Sequence, residues 1–169
     1  GVLGLIGEQK RKPQKVLENF LKRKALEPLE FQTALIPRYD SWIPFRRNIE
    51  RSRVYLVGDA AGHVKVTTVG GLVTGFRGAL GVVHAITNGG SSRCSAGLRV
   101  ELDLHRLIRR GLNHFREEDY VKLLGLLTPA VKRSLGCFHR DETAKLLLRV
   151  FSKNPRLVLL GLRSLLSGQ

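Results

Sequence analysis

Methionine is absent from this chain of 169 residues, which begins at Gly1. A natural chain of that length without methionine is expected to have been cut from a longer one, with a large portion preceding Gly1. Cysteine is nearly absent as well. Cys94 and Cys137 show no metal-ligand spacing and are expected to be separate thiols, as in a cytosolic chain. No stretch reaches the roughly 18 consecutive apolar residues of a membrane span. The best candidate, Gly71 to Ile86, is interrupted by Arg77 and His84. No signal peptide, internal repeat or low-complexity tract is visible. Acidic residues are missing altogether between Ala60 and Val100, where Lys65, Arg77, Arg93 and Arg99 stand without a counter-charge. Aromatic residues make up only 7%. With no zinc-finger spacing and no RNA-recognition aromatic pair, nucleic acid is the weakest partner class.

What is present is an ordinary globular composition, 43% apolar, with a net charge of +15. The positive excess falls in two blocks. Residues 1–60 carry twelve Lys and Arg against seven Asp and Glu, and residues 101–169 carry thirteen against seven. Such an excess fits an anionic partner surface, whether phospholipid headgroups, nucleic acid or an acidic redox protein. Charge alone does not choose among them. The acid-free segment between the blocks either favours an anionic ligand beside it or reflects a buried glycine-rich helix with few charges of either sign.

Along the chain, Val2 to Ile6 reads as a short strand between Gly1 and Gly7. Pro13 opens an amphipathic helix, proline being tolerated in a first turn, and Val16, Leu17, Phe20 and Leu21 form one face of it. Lys10, Arg11, Lys12 and Lys15 lie at the wrong end for the helix dipole and are expected to be solvated or partner-facing. Ala34 to Pro37 reads as a brief strand, and Tyr39 to Phe45 as an aromatic loop. Its Trp42 either lines an apolar tunnel or, as lone tryptophans more often do, packs in the core. Val54 to Val57 is expected to be a buried strand and Gly70 to about Thr87 a helix. Asn88 to Ser91 breaks the chain, with Ser91 or Ser92 available as the next N-cap. Beyond it, Val100, Leu104, Leu107, Ile108, Leu112 and Phe115 make a helical stripe opposite Arg106, Arg109 and Arg110. Shorter helices are expected at Glu118–Leu127, Pro129–Leu135, Asp141–Phe151 (with Asp141 as N-cap) and Pro155–Leu166. His139, Asp141 and Glu142 cluster in sequence without metal-ligand spacing.

The densest signal runs from Val54 through Gly58-Asp59-Ala60-Ala61-Gly62-His63-Val64-Lys65 to Thr67-Thr68-Val69-Gly70-Gly71. A β-branched strand ends at Gly-Asp, crosses a bend of small residues and enters a helix that opens on paired glycines. One carboxylate and one helix N-terminus are thereby set at the C-terminal end of a strand, where open α/β folds bind their ligands. The run resembles the second FAD-binding motif of flavoprotein reductases, above all that of the geranylgeranyl reductase family. The matching positions are Gly58, Asp59, Ala60, Ala61, Gly62, Val64, Lys65, Thr67, Thr68, Gly70, Gly71 and Gly75. The chain departs from the family pattern at Val66, where many relatives have proline, and at Val69, where they often have a third glycine. The matching core spans about thirty residues, and the Ile36-Pro37 segment and helical tail extend the resemblance weakly.

The resemblance implies an α/β fold: the C-terminal part of a two-domain FAD-binding flavoprotein, Rossmann-like and of the glutathione-reductase type, with a helical C-terminal region. Residues 1–50 would end the substrate domain and return the chain to the flavin, 51–90 would form the second half of the FAD-binding domain, and 91–169 the helical region. Residues 1–60 lack the Gly-x-Gly-x-x-Gly fingerprint that holds a dinucleotide pyrophosphate, so the first half of the cofactor site is expected upstream. The resemblance further implies FAD as cofactor, NADPH or ferredoxin as electron donor, and reduction of isoprenoid double bonds in lipids or pigments. Asp59 would accept hydrogen bonds from the ribityl hydroxyls. Gly58, Ala60, Ala61 and Gly62 would give the cofactor room, and Gly70 and Gly71 would lie under the isoalloxazine edge, with Thr67 and Thr68 in the facing loop; the plainer alternative is a strand–helix turn in which Asp59 is an N-cap. Lys65 and Arg77 would either meet an anion or remain surface charges. His63 is given no catalytic role, and no nucleophile–base pair is evident, as suits an enzyme whose cofactor carries the chemistry. The implied location is cytoplasmic, with peripheral contact to an anionic membrane that delivers a prenyl-lipid substrate. A flavin-dependent monooxygenase or halogenase relative, and a basic non-catalytic binding module that keeps a flavoprotein-like remnant, are the alternatives.

Overall fold

The protein is described from a computed structural model, which defines residues 1–7, 12–88, 93–137 and 141–166. The chain divides into two compact units, 1–35 and 36–169. The boundaries expected near residues 50 and 90 both fall inside the second.

In the first unit, residues 1–7 form no strand, contrary to expectation. No described segment of the unit offers them a ladder, and Val2 and Ile6 are exposed. Helix α1 (Pro13–Arg23) opens on proline as its composition dictates and ends with Lys22 and Arg23 in its last turn, where cations suit the dipole. Leu21 is its buried residue.

The second unit begins with an irregular segment. Ala34 to Pro37, which runs across the boundary of the two units, forms no strand; Pro37 cannot donate to a ladder. An antiparallel hairpin follows, β1 (Arg46–Ile49) and β2 (Ser52–Tyr55), in the register Arg46↔Tyr55 to Ile49↔Ser52. Glu50 closes its two-residue loop in the left-handed region. The strand expected at Val54–Val57 is thus shifted two residues towards the N-terminus. Leu56 N–H still reaches Phe45 C=O at 3.0 Å, but β1 offers nothing further along, and Val57 is left unpaired and exposed. Among the described residues this hairpin is the only sheet, and no parallel pairing occurs.

A 3₁₀ turn (Gly58–Ala61) leads through a tight loop to α2 (Leu72–Thr87), which begins two residues later than expected, with Gly71 as N-cap. Among the described residues five helices follow: α3 (Arg93–Asn113), α4 (Glu117–Leu126), α5 (Pro129–Cys137), α6 (Thr143–Lys153) and α7 (Arg156–Leu166). Helix α5 starts on Pro129 as expected. Helix α6 starts after Glu142 rather than at Asp141, because Asp141 is engaged elsewhere, and Pro155 lies just outside α7. The proposed caps Ser91 and Ser92, and His139, lie outside the described residues.

Two apolar cores result. Tyr39, Phe45, Leu98 and Leu102 are the buried members of the first, with Trp42, Val66 and Val82 packed against them. Trp42 therefore belongs to the core. Val131, Val150 and Leu157 are the buried members of the second. Helix α3 joins them, packing against α2, α6 and α7. This division explains why the expected stripe is not the most buried face. Leu98 and Leu102 are shut in, whereas Val100 and Leu107 are exposed. Tyr39 Oη–H donates to Asp103 at 2.8 Å, fixing the irregular segment to α3. Burial, reinforced by that carboxylate, pushes the phenol well above its usual range.

Candidate functional site

Helix α2 carries glycine at every third position from 75 to 81, and this small-residue stripe decides how the Gly-Asp turn sits. A Cβ on Gly75 would lie 3.7 Å from Gly58 Cα, one on Gly78 would fall 2.2 Å from His63 Nδ1, and one on Gly81 2.4 Å from Phe45 Cε2. The helix thus packs directly onto the turn, onto an imidazole and onto a phenyl ring. His63 is fully buried. Trp42 stacks on it at 5.9 Å between ring centroids, and Phe45 meets it edge-on at 5.5 Å.

That ring holds the turn in shape. Gly58 N–H donates to His63 Nδ1 at 3.2 Å, so the ring proton sits on Nε2, the buried atom that finds no partner. Thr74, on the first turn of α2, donates its hydroxyl to the carbonyl of His63. Gly58 and Gly62 both occupy the left-handed region at φ near +64° and +65°, which favours glycine on steric grounds. Sequence reading missed His63; its signal is the coincidence of a histidine with a glycine stripe one loop later.

The turn delivers Asp59 to the mouth of α2. Asp59 Oδ1 lies 3.3 Å from where a Cβ on Gly71 would be, and Asp59 and Ala60 are exposed. Gly71 is the N-cap and, being glycine, brings no side chain with which to cap the helix. A carboxylate free to accept and a helix start with unpaired N–H groups therefore face the same solvent. Nothing approaches within 4 Å of the Cβ position of Gly58, although its N–H and C=O are both bonded to His63. Gly70 lies in the loop before the helix, with Lys65 N–H donating to its carbonyl at 3.1 Å. Thr68 is exposed. Thr67 turns inward, its hydroxyl bonded to His105, so the two threonines do not share one role.

Behind this loop lies a polar cluster that the sequence did not reveal. Lys65 is buried and ion-paired with Asp141, so it is neither a surface charge nor a ligand for an anion. His105, also buried, lies between Thr67 and Thr143, with Thr143 Oγ1 2.9 Å and Glu101 Oε1 3.4 Å from its Nε2. Glu101 also accepts from Thr143 N–H at 3.2 Å, at the start of α6. The cluster ties the loop to α3 and α6. Its traceable signal was Glu101 and His105 at helical spacing on the Leu98–Leu102 face. Among the described residues no group of three or more His, Cys, Asp or Glu is placed to hold a metal, and no helix is long and apolar enough to cross a membrane.

Both buried histidines are held below the ordinary histidine range. Burial does this for His63. Burial dominates for His105 too, Glu101 opposing it, Lys65 reinforcing it and Asp141 opposing it. Below the unperturbed value of 6.5 the unfolded state therefore takes up protons first. Stability is complete above that value and is lost as pH falls below it, with a slope of up to about 1.4 kcal/mol per pH unit for each histidine. Urea unfolding between pH 7.5 and 5 should show this decline, and His105→Gln should remove part of it; a flat profile would contradict the burial of both rings.

No family model matches the chain, and it finds no match among curated proteins or solved structures.

Proposed function

We propose that the chain contributes the flavin-facing half of an FAD-dependent oxidoreductase of the geranylgeranyl reductase type. The observation that carries this reading is the placement of the exposed Asp59 carboxylate at the mouth of α2, beside Gly71. Bound FAD, reduced by NADPH or ferredoxin, would supply hydride to an isoprenoid double bond. The chain's own residues act by binding and electrostatics. Asp59 accepts hydrogen bonds from the ribityl hydroxyls, bonds to a charged acceptor being worth about 1.5–3 kcal/mol. The first N–H groups and dipole of α2, from Leu72 on, offer fixed positive charge to an anion, with no reorganisation required. The open space at the Cβ position of Gly58 gives room, and the exposed Leu72, Val73 and Phe76 supply apolar surface at the same helix end. His63 and Thr74 act by holding the turn against the helix. The net charge of +15 suits a cytoplasmic enzyme that touches an anionic membrane to collect a prenyl-lipid substrate.

The test is the visible spectrum of the full-length gene product titrated with FAD. A bound flavin that bleaches on reduction is expected, with Asp59→Ala weakening FAD by about 10- to 100-fold. A protein that stays colourless, or an Asp59→Ala variant that binds FAD as well as the parent, would sink the proposal and favour a non-catalytic module.

A further inference from the structure

The β1–β2 hairpin carries four arginines, Arg46, Arg47, Arg51 and Arg53, against a single acid, Glu50. All four are exposed. Among the described residues no carboxylate lies within ion-pairing reach of any of them. The ladder between the strands is backbone to backbone, so the arginines are not needed to make it. The register sorts them. Arg46 stands opposite Tyr55 and Asn48 opposite Arg53, and these four share one face of the ribbon; Arg47, Ile49, Ser52 and Val54 share the other. Arg51 stands in the connecting loop beside Glu50. Ile49, the last residue of β1, is 53% exposed at that same end.

Cations on both faces and at the loop select how an anionic partner is met. A partner lying flat on the ribbon would use one face and leave the cations of the other in water. A layer entered end-on meets both faces at once. The polar layer of a bilayer is about 6 Å deep on each side of the hydrocarbon. A strand advances about 3.3 Å per residue, which sets the Arg53 rung about 3 Å and the Arg47 rung about 7 Å behind Ile49. With the loop end down, Ile49 reaches towards the acyl boundary while the long arginine stems return their guanidinium groups to the phosphates.

We propose that the hairpin docks end-on into an anionic phospholipid surface, Ile49 entering the headgroup layer and Arg47, Arg51 and Arg53 binding lipid phosphates. The planar, two-pronged guanidinium suits that group. Glu50, the one acid at the same end, opposes the contact. The hairpin thereby supplies a surface for the membrane-touching part of the reading above and rests on that part. FAD binding uses Asp59 and α2 instead, so either can fail without the other.

Co-sedimentation of the full chain with vesicles of phosphatidylserine and phosphatidylcholine in equal parts, at low salt, tests this. Binding at least tenfold tighter than to pure phosphatidylcholine is expected. Arg47→Gln with Arg51→Gln should weaken it about 20-fold and Ile49→Ser about fivefold, while Glu50→Gln should tighten it about fivefold. Effects of opposite sign at neighbouring positions do not arise from a damaged fold, circular dichroism checks the helices, and FAD titration of the same variants should be unchanged. The proposal is overturned by equal binding to the two kinds of vesicle, by an arginine variant that keeps the parent's affinity, or by a Glu50→Gln variant that binds no tighter. It is overturned too if an oligonucleotide or polyglutamate binds through the same arginines while the vesicles stay free.

Discussion

Asp141→Ala is expected to lower the free energy of unfolding by about 3 kcal/mol, and Lys65→Met by only about 1 kcal/mol, although the two side chains form one ion pair. The asymmetry follows from solvent access. The Lys65 side chain is 5% exposed and that of Asp141 22% exposed. Removing the carboxylate strands an ammonium that water cannot reach. Removing the ammonium leaves a carboxylate that still touches solvent, while methionine fills the vacated space. A double variant, Lys65→Met with Asp141→Leu, should recover most of the loss, because a buried ion pair is often no better than an apolar pair of similar volume. Urea unfolding of the three variants supplies the measurement. Hydrogen exchange adds a local readout: Lys65 N–H donates to Gly70 C=O at 3.1 Å and Val69 N–H to Lys65 C=O at 2.7 Å. These two amides should exchange faster in Asp141→Ala. A variant within 0.5 kcal/mol of the parent would mean that the pair does not hold the loop.

The same loop marks how far local sequence could carry the reading. Its Gly-Asp-Ala-Ala-Gly turn and the helix after it follow from short-range rules: small residues, left-handed glycines and an apolar periodicity. The proline-started helices α1 and α5 follow from the same kind of rule. Val69 lies outside these rules: a β-branched residue sits at φ +57°, a region in which such a residue is strained. What sequence could not supply was the pairing of distant residues. Lys65 and Asp141 are separated by 76 positions and Thr67 and His105 by 38, and no periodicity links them. The misplaced strands fail for a related reason. Val2–Ile6 and Ala34–Pro37 have the composition of strands, but a strand exists only beside a partner, and within the described residues only β1 and β2 find each other. Periodicity yields the apolar stripe on α3 but not the neighbours it meets. The helix in fact serves several neighbours, so its apolar residues divide between a sealed face and the walls of a half-open groove.

The close approach of α2 to His63 makes Gly78→Ala the most disruptive of single methyl additions to this helix. The new Cβ would lie 2.2 Å from His63 Nδ1 and 2.4 Å from its Cε1. The ring cannot give way easily: Trp42 stacks on it, Phe45 meets it edge-on, and Gly58 N–H is bonded to the same Nδ1. Overpacking of this kind costs about 1–3 kcal/mol and occasionally more, whereas alanine gains about 1 kcal/mol over glycine in a helix interior. With the ring pinned on three sides the cost falls at the upper end of that range, and a net loss of about 2 kcal/mol is expected. Gly125→Ala is the control, since it lies in α4 with nothing within 4 Å of its Cβ position and should stabilise by about 0.5–1 kcal/mol. The two variants differ by one methyl group each and should move the urea midpoint in opposite directions. Combining Gly78→Ala with His63→Ala isolates the contact, because without the imidazole the added methyl has room and its separate cost should largely vanish. If Gly78→Ala instead stabilises like Gly125→Ala, then α2 does not rest on the imidazole. The bond that sets Gly58, and with it the position of Asp59 at the helix mouth, would then need another source.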